Sequence, residues 1–216
     1  MTITITKIER QKKHAKRCSL FAGDEFIAGI SEDTLLAFNL HAGKSISEDD
    51  LQQILENEKR VAVREHAWRF LSRREHSSKE LRDKLCLRNH DRDLVDQVIA
   101  DLVDKKYLDD DRYARQIILD HINLKYSGPL LIKSKLLQKG IPMPHIEDLL
   151  TALYPEAKRL ANCRHLAAKK LGSLQRLDNA TKRNRLATYL AQKGYTWEIS
   201  GPVITGLIKG DEDEIE

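Results

Sequence analysis

At 216 residues, with 41% hydrophobic, 6% aromatic and 32% charged residues, the chain can form one large domain or several small ones. This composition excludes a disordered polyelectrolyte and points to a soluble, helix-rich protein with many exposed faces and a mild net charge of +4. No window approaches the ~18 uncharged apolar residues of a membrane span, and the alternating Thr/Ile start lacks an apolar signal core, so a cytoplasmic protein is expected.

In chain order, TITITKIERQ, KRCSLFAG and EFIAGIS alternate with a strand period, and AGDE supplies a turn between the last two. These runs predict a small β-rich segment over 1–45. ISEDDLQQILENEKR then predicts a linking helix over 46–59, capped by Ser47 with Asp50 at the third helical position.

The remainder repeats. Leu85, Leu136 and Leu190 share an apolar frame: four residues earlier stand Leu81, Ile132 and Leu186, and seventeen later stand Leu102, Leu153 and Leu207. Thirteen and fourteen residues on come Val98/Ile99, Leu149/Leu150 and Val203/Ile204, so the period is 51 and then 54 residues. Such a period predicts an array of small helical units whose apolar faces need neighbours.

Each unit divides into three helices, giving repeats over 60–106, 107–155 and 156–209 before an acidic tail, 210–216. Asn89, Gly140 and Gly194, four residues after the anchor leucines, are types that tolerate the left-handed conformation, so KLLQKGI and YLAQKGY are predicted helix stops. Ser77 with Glu80, the Asp109–Asp111 run and Gly128–Pro129 mark helix starts. Ser200, Gly201 and Pro202 are expected to weaken the last helix.

No catalytic constellation stands out: GxxxxGK, GxSxG and HExxH are missing, and the carboxylates fall in caps and surface runs. A non-enzyme without cofactor or metal is expected. Cys18, Cys86 and Cys163 are widely separated and predict reduced thiols, while His66 and His76 predict surface or capping roles. Trp68, Phe70, Leu71, Tyr107 and Tyr113 are expected in the core, Trp68 less firmly because an amphipathic helix cannot bury both Trp68 and Phe70 equally well.

Charge is distributed in blocks. Residues 60–90 carry nine Lys/Arg against four Asp/Glu, 91–111 carry three against eight, and 156–200 carry ten against three. Arg69, Arg73, Arg74, Lys84 and Arg88, then Lys133, Lys135 and Lys139, then Lys182, Arg183, Arg185 and Lys193 fall on or beside the first two helices of successive units. Aligned in one stripe, they would suit a phosphate backbone or an acidic protein groove. A solvated face is the plain alternative for any one block.

FLSRREHSSKELRDKL, YLDDDRYAR and GPLLIKSKLLQKGI resemble successive signature segments of the RecX family, bacterial regulators of the RecA recombinase. The similarity is strong over 60–155 and looser elsewhere. It implies a mainly α fold of three tandem three-helix repeats in an elongated crescent. It also implies a regulator of recombination and the SOS response that binds the RecA filament on single-stranded DNA, with the twelve cations above as candidate contacts. Inhibition of RecA's ATPase, strand-exchange and coprotease activities by a monomer is the expected outcome. The rivals are a stand-alone DNA-binding protein with helix-turn-helix-like units and a pure protein scaffold.

Overall fold

The computed structural model describes residues 2–12 and 14–213. They form two compact units, Met1–His76 with Leu81–Leu108, and Ser77–Glu80 with Asp109–Glu216. The last three residues of the acidic tail lie outside the described residues.

In the first unit the alternating runs become strands, with one break. TITITKIERQ is split at Ile5 into β1 (Thr2–Thr4) and β2 (Lys7–Gln11), because Ile5 is fully buried and donates its N–H to Lys44 O (2.9 Å). Strand β2 continues antiparallel into β3 (His14–Ala22) and β4 (Glu25–Ser31), with Leu20 opposite both Ile8 and Ala28. A short α1 (Glu32–Ala37), capped by Ser31 and unanticipated, precedes β5 (Ser45–Ser47), which pairs with β1.

Helix α2 (Glu48–Leu71) begins with the expected capping box, Ser47 N donating to Asp50 Oδ2 (2.8 Å) and Asp50 N to Ser47 Oγ (3.0 Å). The linking helix and the first helix of repeat one, expected as separate elements, are one continuous helix. The stretch EKRVAVREH joining them holds no Gly, Pro or capping residue to stop it. Glu58, buried within it, explains how this helix holds the sheet: its carboxylate accepts from Ser31 N (2.8 Å) and Thr34 Oγ1 (2.8 Å) and pairs with Arg17 (2.8 Å).

The repeat frame is the core. Helices α3 (Ser78–Cys86) and α4 (Arg92–Asp104) bury Leu81, Leu85, Val98, Ile99 and Leu102 against Val63 and Ala67 of α2. Helices α5 (Asp110–Asn123), α6 (Pro129–Gln138) and α7 (Met143–Leu153) bury Ile132, Leu136, Leu149 and Leu150. Helices α8 (Glu156–Gly172), α9 (Asn179–Gln192) and α10 (Trp197–Asp213) bury Leu186, Leu190, Val203 and Ile204. The described residues are thus mainly helical, with three three-helix repeats behind a small strand segment. Pro202 does not end α10. It lies within the helix, and Gly201 leaves room for the Trp197 ring, which an added Cβ would approach to 2.9 Å.

The repeated phrase has a second purpose. Asn89, Gly140 and Gly194 all have positive φ (59°, 83° and 87°), as helix stops require. In the second unit, however, two of these stops also abut the start of an earlier repeat's middle helix. The carbonyls of Lys193 and Gly194 at the end of α9 accept the N–H groups of Gly128 (2.7 Å) and Leu130 (3.1 Å) at the start of α6. One helix's orphan carbonyls therefore satisfy another's orphan donors, negative end to positive end. A Cβ on Gly194 would stand 2.3 Å from Leu131 N, and one on Gly140 would stand 2.7 Å from Lys79 Cβ, next to Ser78 and the start of α3.

Asn89 is exposed and ends the first repeat's middle helix, so a side chain is tolerated there. Asn89→Gly removes only mild left-handed strain, and thermal melting should be unchanged or rise by no more than about 1 kcal/mol of stability.

Candidate functional site

Two of the basic groups are organised around aromatic rings. In the first unit, Lys84 Nζ and the Arg88 guanidinium each stand 5.3 Å from the centroid of Phe70, at the end of α2. Beneath them His76 is buried: its Nδ1 lies 2.9 Å from Arg74 O and its Nε2 2.8 Å from Lys84 Nζ. The first contact places the ring proton on Nδ1, which leaves Nε2 to accept from the ammonium. The expected role of His76 was surface or capping, and its burial corrects the first of these. Arg69 in the last turn of α2 and Arg73 just beyond it are exposed at the same helix end.

The third repeat has a matching arrangement. Tyr189 on α9 carries Lys193 at 5.5 Å and Lys170, from the last turn of α8, at 5.7 Å. A ring under each cation offsets part of its desolvation and holds it in place. Lys170 is not among the cations expected from the sequence. The signal was the KK pair before Gly172, which places two cations at a helix C-terminus.

Other candidates stand differently. Lys133 pairs with Glu147 (2.8 Å) on α7 and Lys139 with Glu80 (3.1 Å) on α3, so these two cations of the second repeat are matched by carboxylates, one of its own and one of the first repeat. Lys135 is exposed on α6. With Lys125 it contributes to holding the His121 imidazole below its usual range, a shift caused first by burial. Arg183 and Arg185 are exposed on α9, but Lys182 is only 6% exposed, so it does not belong to a solvent-facing set.

His66 is bonded to His90, Nδ1 to Nε2, at 2.7 Å, and burial holds both rings below the ordinary histidine range. Among the described residues no group of three or more His, Cys, Asp or Glu is placed to hold a metal ion. Burial pushes the Cys163 thiol up to about 11, leaving it protonated and unreactive at neutral pH. Among the described residues no helix is long and apolar enough to cross a membrane.

The organised side chains are thus cations on aromatic rings, set on a triplicated frame. Four family models match this chain in order: the regulatory protein RecX N-terminal domain over 3–47, and the first, second and third RecX three-helix domains over 64–102, 109–150 and 156–203. A regulatory protein RecX of Clostridium tetani is 31% identical over 96% of this chain and 95% of its own length. The chain belongs to the RecX family. The Clostridioides difficile regulatory protein RecX is 29% identical over 98% of this chain and 99% of its own.

Solved RecX structures share the fold. One, described as a regulatory protein RecX, covers 92% of this chain and 98% of its own, with a TM-score of 0.74 at 22% identity. The RecX of Lactobacillus salivarius covers 70% and 97%, with a TM-score of 0.63 at 26% identity. The chain is therefore a member of a family of regulatory proteins built on three-helix repeats.

Proposed function

We propose that this chain regulates the RecA recombinase in the bacterial cytoplasm: as a monomer it binds the RecA filament on single-stranded DNA and inhibits ATP hydrolysis, strand exchange and coprotease activity. The observation that carries this reading is the pair of ring-backed cation clusters, Lys84/Arg88 on Phe70 and Lys170/Lys193 on Tyr189, in a chain of RecX type. A nucleoprotein filament offers polyanionic and acidic surfaces together, and fixed cations meet either at low conformational cost. An inhibitor of this kind needs no chemistry of its own, because occupying the filament obstructs a second DNA or the protomer motions of ATP turnover.

The purified protein should hydrolyse no nucleotide alone, yet slow single-stranded-DNA-dependent ATP hydrolysis by RecA at near-stoichiometric or lower levels. Unchanged RecA turnover across a wide titration at low salt would overturn the proposal.

A further inference from the structure

Trp68 and Tyr107 are two large aromatics of the first unit that the core does not take. Tyr107 was expected inside and Trp68 less firmly so, and they are 52% and 40% exposed. The rings meet edge to face, with centroids 4.6 Å apart and planes at 76°. Tyr107 is held there by a helix stop: Lys106 has φ of 60°, and Tyr107 N donates to Leu102 O (2.9 Å).

The two rings border a cleft of about 330 Å³ between α2 and α4. Its apolar wall includes the buried Val61, Val98 and Leu102. Its charged lining is Asp33, Arg64, Glu65, Asp101 and Lys105. Arg64 and Asp33 stand 3.7 Å apart and largely cancel. That leaves two exposed carboxylates, Glu65 on α2 and Asp101 on α4, facing the single cation Lys105. Helix α4 and the turn after it lie in the acidic block of the chain, with eight Asp against three Lys/Arg over 91–111.

We propose that this cleft is a docking site for a basic segment of a partner protein, in which a Lys or Arg side chain of the partner is the anchor. An apolar wall suits the aliphatic stem of such a side chain. Indole and phenol rings attract its head through their π faces, and Glu65 and Asp101 supply the opposite charge on the two sides. A nucleic acid is the poorer occupant: its bases could stack on Trp68, but its phosphates would face a lining with an excess of carboxylate. The inference holds whatever the ring-backed cation clusters bind.

The test uses the full chain with Trp197→Phe, which leaves Trp68 as the remaining one of two tryptophans. Blocked tetra-arginine and tetra-lysine peptides, a blocked tetra-glutamate peptide and an oligothymidylate are titrated while Trp68 fluorescence is followed at near-physiological salt. The basic peptides should perturb the emission saturably and the acidic peptide should not. Glu65→Gln/Asp101→Asn should raise the peptide Kd by about five-fold or more. Asp148→Asn/Glu156→Gln, the same charge change at exposed residues that do not line the cleft, should leave it within about two-fold, because solvent and salt screen charges that make no contact with the peptide. Both pairs are exposed, and circular dichroism checks that each variant folds. No response to the basic peptides, an equal loss in both pairs, or saturation by the oligothymidylate with unchanged affinity after Glu65→Gln/Asp101→Asn would each overturn the proposal.

Discussion

Gly194→Ala should destabilise the second unit by about 2–5 kcal/mol, a large share of the ~5–15 kcal/mol that typically separates folded from unfolded domains. Two costs combine. At φ of 87° an L side chain meets its own carbonyl, worth about 1–2 kcal/mol. The added methyl would also stand 2.3 Å from Leu131 N and 2.5 Å from Leu131 Cβ, so α6 must move away from the end of α9. Such overpacking adds about 1–3 kcal/mol. It also threatens the bonds from Gly128 N and Leu130 N that join the two helix ends.

Gly43→Ala separates the two costs, since φ there is 90° and nothing lies within 4 Å of the added carbon. It should cost only the ~1–2 kcal/mol of strain. Gly140→Ala should fall nearer Gly194→Ala than Gly43→Ala, because the nearest atom, Lys79 Cβ at 2.7 Å, is fixed to its backbone and cannot turn aside as the end of that side chain can. The chain has two units, so unfolding is best followed with Trp197 reporting on the second and Trp68 on the first. Equal shifts for Gly194→Ala and Gly43→Ala would show that the glycines serve only as helix stops.

Much of the fold was legible because it is written in periods. The Leu85, Leu136 and Leu190 frame marks buried residues in all three repeats, and helix starts are marked by the capping side chains of Ser47 and Asp109 and by the proline that follows Gly128. What escaped depends on contacts between segments far apart in sequence. The burial of Glu58 needs Arg17, Ser31 and Thr34 to converge on it, and no local pattern announces that meeting. Lys182 looks like any surface cation beside Arg183, yet its helical position turns it inward. Tyr107 reads as an apolar residue near a turn, but the left-handed Lys106 turns it out beside Trp68. The positions of cations along the chain were readable. Which of them carboxylates neutralise and which aromatic rings support was not.

That distinction sets the last expectation, for direct binding to single-stranded DNA. Arg88, Lys170 and Lys193 stand over aromatic rings and pair with no carboxylate among the described residues, whereas Lys133 and Lys139 pair with Glu147 and Glu80. If the first three lie on phosphates, Arg88→Gln/Lys170→Gln/Lys193→Gln should lower the slope of log affinity against log salt by ~0.7 per contact, or about two units. The native protein's advantage should then shrink roughly twenty-fold between about 50 and 200 mM salt. Lys133→Gln/Lys139→Gln removes nearly as many formal charges but should leave the slope unchanged, at a cost of about 1–2 kcal/mol in stability because both ion pairs are partly buried. If the ring-backed cations instead meet acidic patches on RecA, naked-DNA binding stays as it was, while inhibition of the filament weakens and loses part of its salt sensitivity. Unchanged DNA binding together with unchanged inhibition in the folded triple variant would reduce both clusters to solvated faces and remove the observation on which the proposed function rests.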